Sequence, residues 1–248
     1  MADFRQDQSR FGSAAEQAGV EFDAGLRAYM LRVYNYMALA LAVTGIAALV
    51  TFNMAVSGGQ LTEFGTLMFA SPLKWVVMLA PLGLVFFLSA KINTMSVSAA
   101  QTTFWVFATL IGVSLSTIFL VYTATSIVQT FFVTAAAFAS LSLYGYTTKR
   151  SLSGMGSFLM MGLFGLIIAS VVNIFMQSSA MQFAISAIGV LIFAGLTAYD
   201  TQKIKEMYDH VSHDETMMGR AAIMGALKLY LDFINLFMFL LHFLGNRE

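Results

Sequence analysis

Seven apolar runs divide this chain, at about 29–52, 74–92, 102–122, 126–146, 157–177, 181–200 and 222–244. Each is long enough, or nearly so, to supply the roughly 20 residues a helix needs to cross a bilayer. Hydrocarbon offers no water to backbone N–H and C=O groups, so only helices and closed barrels can span it. No run alternates with period two, which argues against a barrel. Hydrophobic residues make up 58% of the 248, and charged residues 10%, where a soluble domain carries about 25% charged. A water-soluble fold of this length could not hide so much apolar surface. The expected architecture is an all-α integral membrane protein. Its seven transmembrane helices occupy 29–244, between a polar N-terminal tail at 1–28 and a short C-terminal tail at 245–248.

The second run is the weakest, because Pro72 and Pro81 interrupt it. Proline inside a membrane helix is tolerated where neighbours satisfy the freed carbonyl, and it usually kinks the helix. The N-terminal segment "MADFRQDQSRFGSAAEQAGVEFDAG" is polar and of mixed charge, and lacks the apolar core of a secretory signal. It reads as a short mobile tail. Net charge is zero and cysteine is absent. No bulk electrostatic attraction points to a nucleic-acid partner, and disulfides, thiol nucleophiles and cysteine–metal clusters are excluded. No bound cofactor is expected.

Basic residues predict the orientation. Arg5, Arg10, Arg27, Arg32, Lys91, Lys149, Arg150, Lys203, Lys205 and Arg220 all fall on one side, against Lys74 and Arg247 on the other. This bias predicts a cytoplasmic N-terminus and an outside C-terminus.

The seventh run carries a polar seam. Lys228, Asp232, Asn235, Phe239 and His242 follow at spacings of four, three, four and three, which places them on one helix face. A carboxyl facing lipid would cost a few kcal/mol, so the seam is expected to face protein or a water-filled cavity. On the sixth run Ser186, Gly189, Phe193, Thr197 and Asp200 make a similar stripe. Asp232 lies about ten residues, or ~15 Å, into the seventh helix. Asp200 ends the sixth run, so the two carboxyls meet only if the helix continues past Asp200 through "TQKIKEM". Two other readings compete. Asp200 would cap a separate helix starting at Thr201, or Asp232 would pair with Lys228 one turn before it. The segment "DHVSHDE" holds His210 and His213 among acids, but without a third histidine or a cysteine it reads as a solvated loop rather than a metal site. Asn173 stands as a lone polar residue. Small-residue stretches at Gly112–Ser116 and Gly165–Ala169 suit close helix packing.

The segments "GLTAYDTQKIK" and "LKLYLDFINLF", with "GVSLSTIFLVY" in the third run and the seven-helix count, resemble the Bax inhibitor-1 (transmembrane Bax inhibitor motif) family in its bacterial YccA-like branch. The resemblance covers about residues 25–245. It implies two three-helix layers around a central seventh helix. It also implies that Asp200 and Asp232 are paired carboxylates forming the pH sensor and gate of a calcium-leak channel or transporter, with Ca²⁺ as a transient guest of the pair. The family places a basic residue at the end of helix two near the pair. Here Lys91, in "LSAKINTMS", is the nearest match, a lysine in place of the family's arginine. The bacterial branch adds an alternative, a regulatory protein that binds a membrane-anchored AAA protease without transporting ions, and a location in the bacterial inner membrane.

Physical chemistry is consistent with a sensor at such a pair. Two carboxylates in contact at a low-dielectric site cannot both ionise cheaply, and their titration belongs to the dyad. Proton and Ca²⁺, which favours oxygen ligands, would compete for one site, with Thr197, Lys228, Asn235 and His242 as polar neighbours along the seam. An intramembrane aspartyl protease also uses two acids, but such enzymes carry Gly-x-Gly-Asp where this chain has Leu-Tyr-Leu-Asp. The chain is therefore not expected to be an enzyme.

Overall fold

In the computed structural model, residues 3–246 are described, with side chains from residue 23 onward. The expected 1–28 tail thus falls largely outside the described side chains, as do Arg5, Arg10 and Arg247.

Seven helices are long and apolar enough to cross a membrane. They are α1 (Asp3–Ala55, apolar over Asp23–Ala55), α2 (Leu73–Lys91), α3 (Val97–Leu115), α4 (Ala124–Thr147), α5 (Ser153–Met176), α6 (Ser179–Val211) and α7 (Glu215–Leu244). Local sequence explains most of their starts. Ser96, Thr123, Ser178 and Asp214 each accept a backbone N–H of the first turn of α3, α4, α6 and α7, satisfying donors that a helix leaves orphaned. Pro81 sits buried within α2. A 3₁₀ segment, Ser116–Leu120, extends α3. Between α1 and α2 the strands β1 (Val56–Ser57) and β2 (Gln60–Leu61) pair antiparallel. Gly58 and Gly59 turn the hairpin at φ of 59° and 77°, a conformation costly for residues with a Cβ.

Hydropathy under-reads α6 and α7. The sixth run ends at residue 200, whereas the helix continues to Val211, and α7 begins at Glu215 rather than 222. "TQKIKEMYDHV" contains no glycine or proline and is rich in good helix formers, so the helix outlives its apolar stretch. Asp200 therefore lies inside a continuous helix and caps nothing. In "DHVSHDE" the working residue is Asp214, whose carboxylate accepts from the backbone N–H groups of Thr216 and Met217 at 2.7 and 3.0 Å.

The helices pack as two triads around a centre. Helix α3 holds α1 and α2, α6 holds α4 and α5, and α7 lies against α1, α3, α4 and α6. Of the most apolar 18-residue window, 56% is buried in α7 but only 11% in α2 and in α5, which makes α7 the axis and those two the outermost staves. One core cluster joins α7 to the first triad and α4; a smaller one joins it to α5 and α6.

Two sets of buried hydroxyls tie the layers together. The Thr44 hydroxyl donates to the Ala108 carbonyl at 2.9 Å and meets the Tyr230 hydroxyl at 2.6 Å. A hydroxyl has one proton, so Tyr230 is the donor to Thr44, and α7, α1 and α3 are joined. Likewise Thr201 donates to the Thr197 carbonyl at 2.7 Å, so Ser142 donates to Thr201 at 2.9 Å and Tyr34 to Ser142 at 2.6 Å. That row crosses from α1 through α4 to α6. Gly112 lets α3 approach α1, since a Cβ there would strike the Thr44 carbonyl, whereas a Cβ at Gly165 would meet nothing. Only the first of the two small-residue stretches has its glycine in a close helix contact.

Candidate functional site: two carboxyls at the α6–α7 interface

Continuity of α6 past Asp200 brings that residue beside α7, where Asp232 projects from the helix face that also carries Lys228 and Asn235. Asp232 is 4% exposed. Its Oδ2 is buried and has no hydrogen-bond partner among the described residues. Asp200 of α6 lines the same cavity as Asp232. Ionised carboxylates only accept, so a hydrogen bond between the two requires a proton on one of them.

The cation beside Asp200 is Lys228. Its Nζ stands 3.8 Å from Asp200 Oδ1, so it leaves its own helix neighbour, Asp232, for the acid on α6. The lysine stem reaches outward and its side chain is 54% exposed, while that of Asp200 is 16% exposed.

Both acids line a cavity of about 500 Å³ between α5, α6 and α7. Its polar lining is Ser170 of α5, Asp200 of α6 and Lys228, Asp232 and Asn235 of α7; Leu166, Phe193, Leu196, Leu231 and Phe239 are among its apolar walls. The Asn235 amide donates to the Leu231 carbonyl at 2.8 Å. Such an arrangement can hold a proton between two acids, present several oxygens to a cation, and offset part of the negative charge through one amine.

Not every expected residue belongs here. Thr197 is buried, spends its hydroxyl on the Phe193 carbonyl at 2.8 Å, and is absent from the cavity wall. His242 packs edge-on against Tyr122, ring centroids 6.1 Å apart, ten residues beyond Asp232 and away from the cavity. Lys91 is exposed, makes no ion pair among the described residues and does not line the cavity. Arg220 is the cation that reaches the end of α2, through its bond to the Asn93 carbonyl at 2.8 Å. Position at a helix end suggested Lys91, but side-chain reach from α7 decides for Lys228. One serine in an apolar helix carries no sequence signal, so only the fold reveals Ser170 at the cavity. Asn173 holds the α5–α6 turn, donating to Gln182 and accepting from the Ser178 N–H, both at 3.1 Å, around Gln177 at φ 50°.

A profile of the family described as inhibitor of apoptosis-promoting Bax1 matches residues 26–248. The chain is 51% identical to an uncharacterised protein of Rickettsia prowazekii over 227 residues, 92% of this chain and 93% of that protein. It is 47% identical to an uncharacterised protein of Caulobacter vibrioides over 251 aligned residues, the full length of both. With the inner membrane protein YbhL of Escherichia coli it shares 45% identity over 227 residues, 91% of this chain and 94% of YbhL.

Proposed function

This chain belongs to the Bax inhibitor-1 family, and on that premise we propose that it is a pH-sensitive cation leak pathway, with Ca²⁺ as the permeant ion and Asp200 and Asp232 as sensor and gate. The observation that carries the reading is a buried Asp232 oxygen without a donor, set against a second acid at a common cavity. A proton shared between the carboxyls bridges α6 to α7. Its loss leaves two like charges in contact, and the interface then opens or takes up a cation. Ca²⁺ favours hard oxygen ligands, so the ionised pair is its transient stop rather than a resident site. Lys228 offsets part of the charge and keeps the ionised state accessible. The distribution of basic residues supports a cytoplasmic N-terminus, and the inner-membrane designation of YbhL supports the same membrane for this chain.

The direct test is Ca²⁺ flux into vesicles holding the purified protein, measured from pH 5 to 9. Flux is expected to rise as the shared proton is lost, and Asp232→Asn is expected to flatten the curve. A curve unchanged in that variant refutes the assignment.

A further inference from the structure

A second cavity, about 640 Å³, lies at the basic end of the bundle between the end of α2, the stretch of α6 after Asp200 and the first turns of α7. Lys203, Arg220 and Lys228 line it, and among the described residues no acid does. Lys203 is engaged by Glu206 at 2.7 Å and Lys228 by Asp200 at 3.8 Å, which leaves Arg220 as the stronger anchor. Two donors on its wall are orphaned. Tyr29, 2% exposed, has a buried hydroxyl with no hydrogen-bond partner among the described residues, and the buried Arg220 Nε likewise has none, although Nη1 of the same guanidinium bonds Asn93. Buried donors are rarely left unpaired, because their desolvation goes uncompensated. Two such donors on one cavity, with cations and no acid on its described wall, call for an anion bearing several oxygens. The remaining wall, including Ile92, Met207, Met217 and Met224, is apolar, so the rest of the occupant is hydrocarbon. Methionine suits that role because it adapts to irregular chains.

We propose that this cavity binds an anionic phospholipid of the surrounding bilayer, its phosphate held by Tyr29 and Arg220 and its acyl chains by the apolar wall. From Arg220 to Lys228 is two turns of α7, about 12 Å, room for a head group and the start of its chains. Basic pockets between membrane helices bind anionic head groups by the same chemistry. The inference does not depend on whether the acid pair passes ions.

The test is binding of phosphatidylglycerol to the full-length protein in neutral detergent, read as a saturable rise in melting temperature and as a lipid adduct in native mass spectrometry. Phosphatidylcholine and inorganic phosphate are the comparison arms. Wild type is expected to bind phosphatidylglycerol, and neither comparison ligand, with saturation. Arg220→Gln and Tyr29→Phe are each expected to weaken binding by about tenfold. Tyr29→Phe removes a hydroxyl that bonds nothing among the described residues, so its lipid-free melting temperature should hold even if Arg220→Gln folds poorly. Equal binding of phosphatidylcholine, full saturation by phosphate alone, or wild-type affinity in Tyr29→Phe would each overturn the proposal.

Discussion

Lys228 reaches Asp200 on the neighbouring helix, at 3.8 Å, although Asp232 lies one turn along its own. An ion pair with one partner half-exposed contributes at most about 1 kcal/mol. On the proposed function its role is electrostatic tuning of the acid pair more than cohesion of the bundle.

Lys228→Met should accordingly leave stability within about 1 kcal/mol of wild type. Removing the positive charge disfavours the ionised pair, so the flux–pH curve should move toward higher pH. Vesicle flux and a melting curve on the same preparation check both halves.

Asp232→Asn gives Asp200 an amide donor in place of a titrating acid. The α6–α7 bridge then persists at every pH. Flux should be low and flat from pH 5 to 9, whereas Asp232→Ala, which supplies no donor, should be flat but higher. Equal pH-dependent flux in the two variants would contradict the bridge.

The direction of the Tyr230–Thr44 hydrogen bond sets an order of damage. Tyr230→Phe removes a donor and leaves Thr44 bound to Ala108, at a cost of about 1 kcal/mol. Thr44→Val strands the buried Tyr230 hydroxyl, at a cost of about 1–3 kcal/mol. Denaturation in detergent should rank Thr44→Val as the less stable variant.

Gly112→Ala pushes a methyl into the Thr44 carbonyl, which is backbone and cannot swing aside; a loss of about 1–3 kcal/mol is expected. Gly165→Ala points into open space, and the gain in helix propensity, up to about 1 kcal/mol, should leave it neutral or slightly stabilised. Melting temperatures of the pair make the comparison.

Much of this was legible in the chain. Hydrophobic run length located all seven helices, because bilayer thickness sets that length, and the four–three spacing around Asp232 put Lys228, Asn235 and Phe239 on the face that meets the cavity. What failed to show was where helices stop outside the apolar zone. Polar residues after Asp200 are compatible with helix or loop, and the packing against α7 decides. The basic partner was misplaced for a related reason: Lys91 sits at the right helix end, but partner choice depends on reach across an interface. His242 shares the periodicity of the seam, but ten residues of rise carry it beyond the cavity.

The hydroxyl row from Tyr34 through Ser142 to Thr201 ends one residue from Asp200. Turning α6 to part its acid from Asp232 would also swing Thr201, loosening its grip on the fourth helix and, through Ser142, on the first. Under the proposed gating the row would be a mechanical latch, making movement at the acids a concern of three helices rather than of one side chain.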